Sequence, residues 1–448
     1  MNKYTAHLLL FALALAPAGA LAKERTQADI TRIAAATIAA AQPHHGRSAA
    51  SATLHTLAAT KTYTVMGYAG GGFAVIANDD AHAPVIGYSP SSAFSTTANP
   101  ALEWYLTLAD AVLAGNAAQA APRASSSAVP ADCPASVSHL IETKWNQDDP
   151  YWAKCPKDGT GKYCYTGCVA TAMAQIMRYY KYPATGIGRD TAYYNRHPYD
   201  VDFAAAHYDY DNMIASYSGS YTVAQKLAVA TLMYHCGVAT SMTYDTDGSG
   251  AYLADAARGL AGHFGYVTQY YGYKDYPAKD NYDDQAWRDV VYHELALGHP
   301  LLYAGASDKN GTYNMSYHAF VLDGYDASGN VGVNWGYSGA GDGYFSLDIL
   351  ECSAYTPSEQ YSLYHEMVVV HHPDDGPITY SLAPATGIQA PTLPADALPA
   401  DAFPAAAAAA SSAAALYDAA GRRLAPGTSR PGLVIVRQGN TTRKMLAR

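Results

Sequence analysis

Apolar side chains recur every three or four positions between Cys168 and Pro183, which is the spacing of one face of an α-helix. A second helix is expected over residues 283–297, because Gly298 and Pro300 then interrupt the chain. We therefore predict two helices in the middle of the chain, with Cys168 at the start of the first.

The N-terminal region carries the signals of a hairpin followed by another helix. Residues 63–78 alternate between apolar and polar positions and are interrupted by glycines at 70–72, as in a β-hairpin. Asn99 is a suitable N-cap, Pro100 suits the first helical position, and Gly115 ends the helix. This region is expected to form a folded unit that precedes the main domain.

Beyond residue 300 the helical spacing gives way to short segments that are typical of β-strands. They cover residues 301–304, 317–325, 330–335 and 343–347. The turn at 326–329 folds two of them back on each other. Because helices come first and antiparallel strands follow, the main domain is predicted to be of the α+β class.

The chain begins with the features of an export signal. Lys3 supplies a basic start, residues 8–16 are an unbroken apolar run, and Ala-Leu-Ala at 20–22 fits a cleavage site. The apolar run is too short for a membrane anchor, the alternative interpretation. Residues 1–22 are therefore predicted to be a signal peptide, and the protein is expected to be secreted.

Shifts in composition divide the remaining chain into four parts. The predicted parts are a first folded unit at 23–130, a main domain at 131–372, a linker rich in Pro and Ala at 373–415, and a small β module at 416–448. The first unit ends in an exposed segment rich in Ala and Ser at 122–130, where proteolysis is expected.

Charge and cysteine content narrow the classes of function. The formal net charge of −10 argues against nucleic acid as a partner. Six cysteines lie in a chain bound for an oxidising compartment, and if one is a reactive thiol the other five cannot all pair. Cys155 and Cys164 flank a short loop and are candidates for a disulfide. The histidine pairs at 44–45 and 371–372 lack ligand-like neighbours and are expected at the surface, so no metal is expected.

Cys168 is the candidate nucleophile because unsatisfied N–H groups and the helix dipole favour a thiolate at a helix N-terminus. The dipole contributes up to about 2 kcal/mol. A catalytic thiolate paired with histidine lies about 5 pKa units below a free thiol, which requires about 7 kcal/mol. A histidine cation beside the sulfur is therefore needed, and without one Cys168 is an ordinary buried core residue.

His318 is the candidate base, since it follows Cys168 by 150 residues in the order typical of a Cys–His pair. It lies within an apolar strand, where an imidazole needs hydrogen-bond partners; a histidine bonded within the core is the alternative. Asn334, sixteen residues further on, is expected to accept the imidazole N–H, provided that a bulge or a longer loop corrects the hairpin register. Trp335 would shield that bond from water.

Gln147 lies in a loop 21 residues before Cys168. Its side-chain amide and the Cys168 backbone N–H are candidates for an oxyanion hole, where one donor is worth about 2.7–4 kcal/mol. An ordinary surface glutamine is the alternative interpretation.

Several segments, in the same order along the chain, resemble the streptopain family of cysteine peptidases. They are 144–151 (KWNQDDPY), 166–177 (TGCVATAMAQIM), 318–325 (HAFVLDGY), 333–336 (VNWG) and 342–345 (DGYF). The first unit resembles the prodomain of that family through 72–76 (GFAVI), 78–80 (NDD) and 84–88 (PVIGY).

The resemblance implies a papain-like two-layer fold, an inhibitory prodomain removed by proteolysis, and a cysteine endopeptidase that acts on proteins or peptides without a cofactor. It assigns Cys168 as nucleophile, His318 as base and Gln147 as oxyanion donor, with Asn334 and Trp335 as the orienting and shielding pair. The residue before the histidine is usually Gly in such proteins and is Tyr317 here. A large side chain beside the base is expected to narrow the cleft.

The C-terminal module resembles the sorting domains recognised by type IX secretion. The likeness lies in 416–423 (LYDAAGRR) and 432–436 (GLVIV) with the basic end that follows. It implies the secretion machinery as a partner; a small β-hairpin tail with another use is the alternative.

Two rival functions remain for the main domain. Another Cys–His acyl-transfer enzyme, such as an amidase or a transglutaminase-like protein, would use the same residues. A surface binding protein would have kept the fold and lost the activity, although the complete set of Cys168, His318 and Asn334 argues against that.

Overall fold

The computed structural model describes residues 22–42, 53–114, 129–194, 197–272, 284–308, 315–350, 355–356, 361–379, 415–418, 432–438 and 441–447. The chain divides into two compact bodies: a large one, Met1–Ile388, which includes both the predicted first unit and the main domain, and a small one, Gln389–Arg448. The predicted export signal through residue 21, the histidine pair at 44–45, Cys352 and most of both predicted linkers lie outside the described residues.

Seven α-helices lie within the described residues. They are α1 Gln27–Ala40, α2 Pro100–Leu113, α3 Cys168–Tyr180, α4 Val223–Ala239, α5 Leu253–Phe264, α6 Asp284–Ala296 and α7 Leu347–Leu350.

The strands of the first unit and of the N-terminal part of the main domain are β1 Leu54–Ala59, β2 Tyr63–Tyr68, β3 Phe73–Ala77, β4 Val85–Ser89, β5 Arg189–Tyr194, β6 His197–Asp202 and β7 Val267–Tyr271. The strands that follow are β8 Leu301–Asp308, β9 Met315–Tyr325, β10 Asn330–Asn334, β11 Gly343–Ser346, β12 Tyr355–Thr356, β13 Tyr361–His371, β14 Ala415–Asp418, β15 Gly432–Gln438 and β16 Thr441–Ala447.

The elements predicted in the first unit are confirmed. Strands β2 and β3 form an antiparallel hairpin around the predicted glycine turn, where Gly71 has a φ of 105° that favours glycine. The Asn99 side chain accepts the Leu102 N–H at 3.0 Å, and Pro100 is the first residue of α2.

Eleven of the described strands form one antiparallel sheet in the order β1-β2-β3-β4-β11-β10-β9-β8-β13-β12, with β7 also on β13. Strands β4 and β11 join the first unit to the main domain through the pairs Tyr88–Tyr344 and Gly87–Phe345. The two predicted parts on either side of residue 130 therefore share a sheet.

The sheet is buried on both faces, and successive side chains of β9 point to opposite faces. Ala319 and Val321 belong to the core that contains α3, α4 and α5. Phe320 and Leu322 belong to the core that contains α2 and α6. The strand that carries His318 is thus held between α3, α4 and α5 on one face and α2 of the first unit with α6 on the other.

His371 is not at the surface, contrary to the expectation from sequence. It is the last residue of β13 and is only 3% exposed. Met367 and Val369, four and two positions earlier, lie in the core beside α6, so strand alternation turns His371 to the same side. Its Nε2 lies 2.7 Å from the buried Glu294 carboxylate of α6.

The small C-terminal body, Gln389–Arg448, contains a three-stranded antiparallel sheet in the order β14-β15-β16. This agrees with the strand-rich module predicted at 416–448. Across the residues that the structure describes, no helix combines the length and apolar character needed to cross a membrane.

Candidate active site

Cys168 is the first residue of α3, as predicted, and Gly167 is what allows the chain to enter the helix there. Gly167 has a φ of 87°, and a Cβ at that position would lie 2.7 Å from the Met242 side chain. The Gly167 carbonyl accepts the Thr171 N–H and hydroxyl, both at 3.0 Å. The nucleophile candidate is therefore fixed at the helix N-terminus by the backbone of its neighbour.

The Cys168 side chain is buried. Burial raises its pKa above the ordinary value, while hydrogen bonds from the backbone N–H groups of Ala319, Val169 and Cys168 itself oppose the shift. Ala319 directly follows His318, so the fold brings the sulfur to the strand that carries the candidate base.

The His318 imidazole is also buried. Its Nε2 lies 2.8 Å from the Trp335 carbonyl oxygen, and because a carbonyl only accepts, this nitrogen carries the proton. Burial lowers the pKa of His318 to about 4, and the hydrogen bond to Trp335 only partly opposes the shift. Among the described residues, no hydrogen bond joins this imidazole to the Cys168 sulfur.

Tyr337 is a site residue that sequence reasoning missed. Its ring stacks on the His318 ring with centroids 5.1 Å apart and an interplanar angle of 19°. Burial raises the pKa of the Tyr337 hydroxyl to about 12, with Cys168 adding to the shift and a hydrogen bond involving Gln147 opposing it. Tyr337 thus stacks on the candidate base, hydrogen-bonds with the candidate oxyanion donor, and lies close enough to Cys168 to interact with it electrostatically.

Contrary to the expectation from sequence, none of the hydrogen bonds of the Asn334 side chain within the described residues goes to His318. The register between β9 and β10 does shift near Gly332, yet it leaves Asn334 opposite Val321. Its Oδ1 accepts from Gln175 at 3.0 Å and from the Gly336 N–H at 3.1 Å. In this structure the acceptor for the imidazole is therefore the carbonyl of Trp335, the next residue along.

The remaining bond of Asn334 ties the same segment to the main domain, because its Nδ2 donates to the Thr143 carbonyl at 2.7 Å. Asn334 is 4% exposed, so each of these bonds replaces water that the amide has lost. The amide holds in place the turn from which the Trp335 carbonyl reaches His318.

Trp335 is fully buried, and its ring lies next to Phe320, Phe345 and Tyr105. Its backbone N–H donates to the Asp342 Oδ1 at 2.9 Å. Burial raises the pKa of Asp342 to about 7, against the opposing hydrogen bond from Trp335. Trp335 and Asp342 therefore close the base of the 336–342 loop, which carries Tyr337.

Gln147 is half-buried beside the nucleophile segment. Its backbone carbonyl accepts the Thr166 N–H at 3.0 Å, two residues before Cys168. Nearby, the Ser338 N–H donates to the Trp145 carbonyl at 3.0 Å, which joins the 336–342 loop to the segment that carries Gln147. The fold thus brings Gln147 to the Cys168 end of α3.

The first unit holds the 336–342 loop at three points. Asn99 Nδ2 donates to the Ala340 carbonyl at 2.7 Å, the Ser92 hydroxyl to the Gly339 carbonyl at 2.9 Å, and the Ser89 hydroxyl to the Asp342 carbonyl at 2.6 Å. We call these three bonds the loop clamp. They belong to the unit that the sequence predicts to be removed.

Tyr317 takes the place usually held by Gly. It packs against the core on the α3 side, and its hydroxyl donates to the Glu366 Oε1 at 2.9 Å. Glu366 also accepts from Tyr270 at 2.6 Å. A buried carboxylate therefore fixes the Tyr317 ring, and its effect on the cleft stays a prediction.

Cys155 and Cys164 are both buried in the core on the α3 side. The Cys164 N–H donates to the Pro156 carbonyl at 2.8 Å, so their chain segments run side by side. A disulfide between them stays a prediction.

Comparison with known proteins agrees with this geometry. Residues 145–345 match the Peptidase C10 family, and residues 22–112 match the Spi protease inhibitor family. Streptopain from Streptococcus pyogenes is 30% identical over 306 residues, which cover 63% of this chain and 73% of streptopain. Thiol protease/hemagglutinin PrtT from Porphyromonas gingivalis is 31% identical over 298 residues, which cover 62% of this chain and 33% of that protein.

A solved structure of a prointerpain A fragment from Prevotella intermedia, a cysteine-to-alanine mutant, is similar in fold. It is 39% identical, covers 71% of this chain and 98% of its own, and superposes with a TM-score of 0.59. This likeness confirms the predicted α+β, papain-like fold. The family match, the streptopain relatives and this fold together show that the chain belongs to the peptidase C10 family and is a cysteine peptidase.

Proposed function

We propose that the protein is a secreted endopeptidase made as a zymogen, with Cys168 as nucleophile and His318 as base. The observation that carries the proposal is the position of Cys168 at the N-terminus of α3, with its sulfur against the Ala319 N–H next to His318. No other described cysteine is the first residue of a helix.

In the proposed reaction the Cys168 thiolate attacks the substrate carbonyl, and a C–S bond forms. The Gln147 amide and the Cys168 N–H hold the oxyanion. The His318 imidazolium gives its proton to the leaving amine as the C–N bond breaks. His318 then takes a proton from water, which attacks the thioester; the C–S bond breaks, the acid leaves, and the Cys168 thiolate and the His318 imidazolium are restored.

The precursor is proposed to be latent because the ion pair has not formed. Burial favours the neutral forms of the thiol and the imidazole by raising the pKa of Cys168 and lowering that of His318, and the Tyr337 ring stacks on His318. The loop clamp of the first unit holds the 336–342 loop that carries Tyr337. Removal of residues 23–130 would release that loop and let His318 approach the sulfur.

Labelling tests the nucleophile. An epoxide inhibitor of papain-type enzymes should modify Cys168 of the processed protein, and the processed protein should cleave unfolded casein. Labelling without casein cleavage would favour an amidase or a transglutaminase-like enzyme. Absence of both would favour a binding protein on the same fold.

Replacing the nucleophile tests maturation. The C168A precursor should stay uncut when purified, whereas the wild-type precursor should release a protein whose new N-terminus lies near residues 122–130. Maturation of pure C168A would show that a different protease makes the cut.

Export is proposed to use the signal peptide at 1–22 and the sorting-like module at 416–448. In a host with type IX secretion, deletion of 416–448 should leave the protein in the periplasm, while the full chain reaches the medium or the cell surface. Equal export of both would assign the module another use.

A further inference from the structure

Three buried side chains from separate elements meet behind the catalytic sheet. Glu294 belongs to α6, His299 to the connection between α6 and β8, and His371 to the end of β13. Glu294 is 0% exposed, and the two histidines are 8% and 3% exposed. His299 Nδ1 lies 2.9 Å and His371 Nε2 lies 2.7 Å from the same Glu294 oxygen, Oε2.

The other Glu294 oxygen lacks a partner. Oε1 is buried, and no group within the described residues hydrogen-bonds to it. A buried carboxylate oxygen without a donor is costly, because it has lost its water and gained nothing in exchange. The carboxylate therefore has spare ligand capacity at the point where both rings converge.

Each ring also faces an acceptor on its outer side. His371 Nδ1 lies 3.4 Å from the Gly376 carbonyl, and His299 Nε2 lies 3.6 Å from the Asp375 carboxylate. A neutral imidazole has one N–H and one lone pair, so it cannot donate to acceptors on both sides. A ring that donates to its outer acceptor can therefore also meet Glu294 favourably only as an imidazolium or with a metal ion on its inner nitrogen.

Two protons would place two imidazolium rings against each other. The ring centroids of His299 and His371 are 3.9 Å apart, so the two positive charges would repel at close range inside the protein. A single divalent ion replaces both inner protons and leaves both rings neutral, with the outer N–H groups on the acceptors. An outer carbonyl or carboxylate of this kind is the usual support of a metal-bound histidine.

We propose that Glu294, His299 and His371 form a binding site for a divalent cation of the zinc class. Their ligand atoms lie within 4.8 Å of one another. Two imidazoles and a carboxylate are a common protein ligand set for Zn²⁺, with a fourth position left for water. A cleft of about 420 Å³ opens on the His299 side of the cluster, and it is lined by Tyr179, Tyr180, Leu297, Gly298, His299 and Asp375.

The bound ion would act as a structural clasp. It would join the segment from the C-terminal turn of α6 to the approach to β8 with the end of β13, which lies about 70 residues further along the chain. It shares no residue with the site around Cys168 and His318. Binding should therefore raise the stability of the folded chain without supplying chemistry to peptide hydrolysis.

The test uses full-length precursor with C168A, without a histidine tag, so that neither the catalytic thiol nor a tag binds metal. Zn²⁺ is titrated by calorimetry, retained metal is counted after gel filtration, and thermal unfolding is followed with and without Zn²⁺. H371Q is added as the site variant, because its amide can still donate to Glu294. H293Q is the matched control, because His293 belongs to a second cluster with Asp132 and Cys133.

We expect about one equivalent of Zn²⁺ in C168A and in C168A/H293Q, with a melting temperature that rises by several degrees. The H371Q variant should bind more than tenfold more weakly and lose that rise, and Mg²⁺ should have no effect on any of them. H299Q repeats the comparison if H371Q does not fold by circular dichroism. Binding that survives in both site variants, binding lost in H293Q, or no binding at all would overturn the proposal.

Discussion

At the scale of single residues, burial favours the neutral forms of both candidate catalytic groups. Burial raises the pKa of Cys168 and lowers that of His318 to about 4. No ion pair between the two side chains offsets these shifts, because the imidazole hydrogen-bonds to the Trp335 carbonyl instead. Activation must therefore change the electrostatics of both residues at once.

This difference predicts a change in thiol reactivity. Between about pH 6 and 8, iodoacetamide should modify Cys168 at least about tenfold faster in the mature enzyme than in the intact precursor. A short pulse followed by peptide mass spectrometry measures both forms, with the partly exposed Cys133 as the internal control. Equal rates would mean that the ion pair already exists in the precursor.

A second prediction concerns Asp342. Its folded-state pKa, raised to about 7 by burial, lies above the ordinary 3.8. The folded protein therefore keeps a proton that the unfolded chain releases, and this stabilisation is complete below pH 3.8 and is lost as pH rises through about 7. The D342N variant keeps an oxygen for the Trp335 N–H but does not titrate.

In the C168A background, urea unfolding should show the free energy of unfolding of the Asp342 protein falling more steeply from about pH 4 to 8 than that of D342N. All other titrating groups are shared, so the difference isolates this carboxyl. Parallel pH profiles would show that Asp342 titrates in the fold as it does in the unfolded chain.

The candidate site was predictable from sequence only in part at this scale. Sequence placed Cys168 at a helix start, and it placed Asn334 and Trp335 next to the base. It assigned the orienting bond to the Asn334 side chain, because the register shift in β10 and the competing Gln175 cannot be read from a hairpin pattern. Tyr337 was missed because a tyrosine in a glycine-rich loop has no periodic neighbours.

At the scale of elements, the 336–342 loop is held from both sides. The loop clamp of the first unit contacts its carbonyls, and the Trp335–Asp342 bond closes its base. Asn99 has two roles here, since its Oδ1 caps α2 at the Leu102 N–H and its Nδ2 donates to the Ala340 carbonyl.

Two variants separate these roles. N99A loses both bonds, whereas N99D keeps the capping oxygen and loses only the donor. Both should accelerate maturation of the wild-type precursor, while only N99A should lower the free energy of unfolding, by about 0.5–2 kcal/mol. Gel time courses and urea unfolding measure the two effects, and unchanged maturation in N99D would remove Asn99 from the loop clamp.

The predicted elements hold where a sharp local signal exists. Helices α2, α3 and α6 and strands β8 to β11 lie within a few residues of their predicted bounds. Helices α1, α4 and α5 were not predicted. They are rich in alanine, which gives little contrast between a buried and an exposed face, so their spacing is hard to read.

At the scale of the whole molecule, the first unit is part of the same sheet and core as the peptidase. Strands β8 and β9 of the main domain pack against α2 of the first unit, and Gly305 of β8 lies at this contact. A Cβ at Gly305 would lie 2.4 Å from ring carbons of Trp104. Sequence could not reveal this contact, because it joins residues 201 positions apart.

Gly305 therefore gives a test of the packing. In the C168A precursor, G305A should lower the free energy of unfolding by about 1–3 kcal/mol, because the added methyl overpacks the Trp104 contact. Gly219 has no heavy atom within 4 Å of the same added methyl, so G219A should change it by less than about 0.5 kcal/mol. Urea unfolding measures both, and equal stabilities would argue against this docking.

The short seam between β4 and β11 has a consequence for the released prosegment. Once it departs, β11 becomes a border of the sheet, with backbone N–H and C=O groups turned to water. The strand that fits this border best is β4 of the freed prosegment, so we expect the freed prosegment to bind the mature enzyme again and inhibit it. Lasting activity then depends on destroying the liberated fragment as well as on severing it.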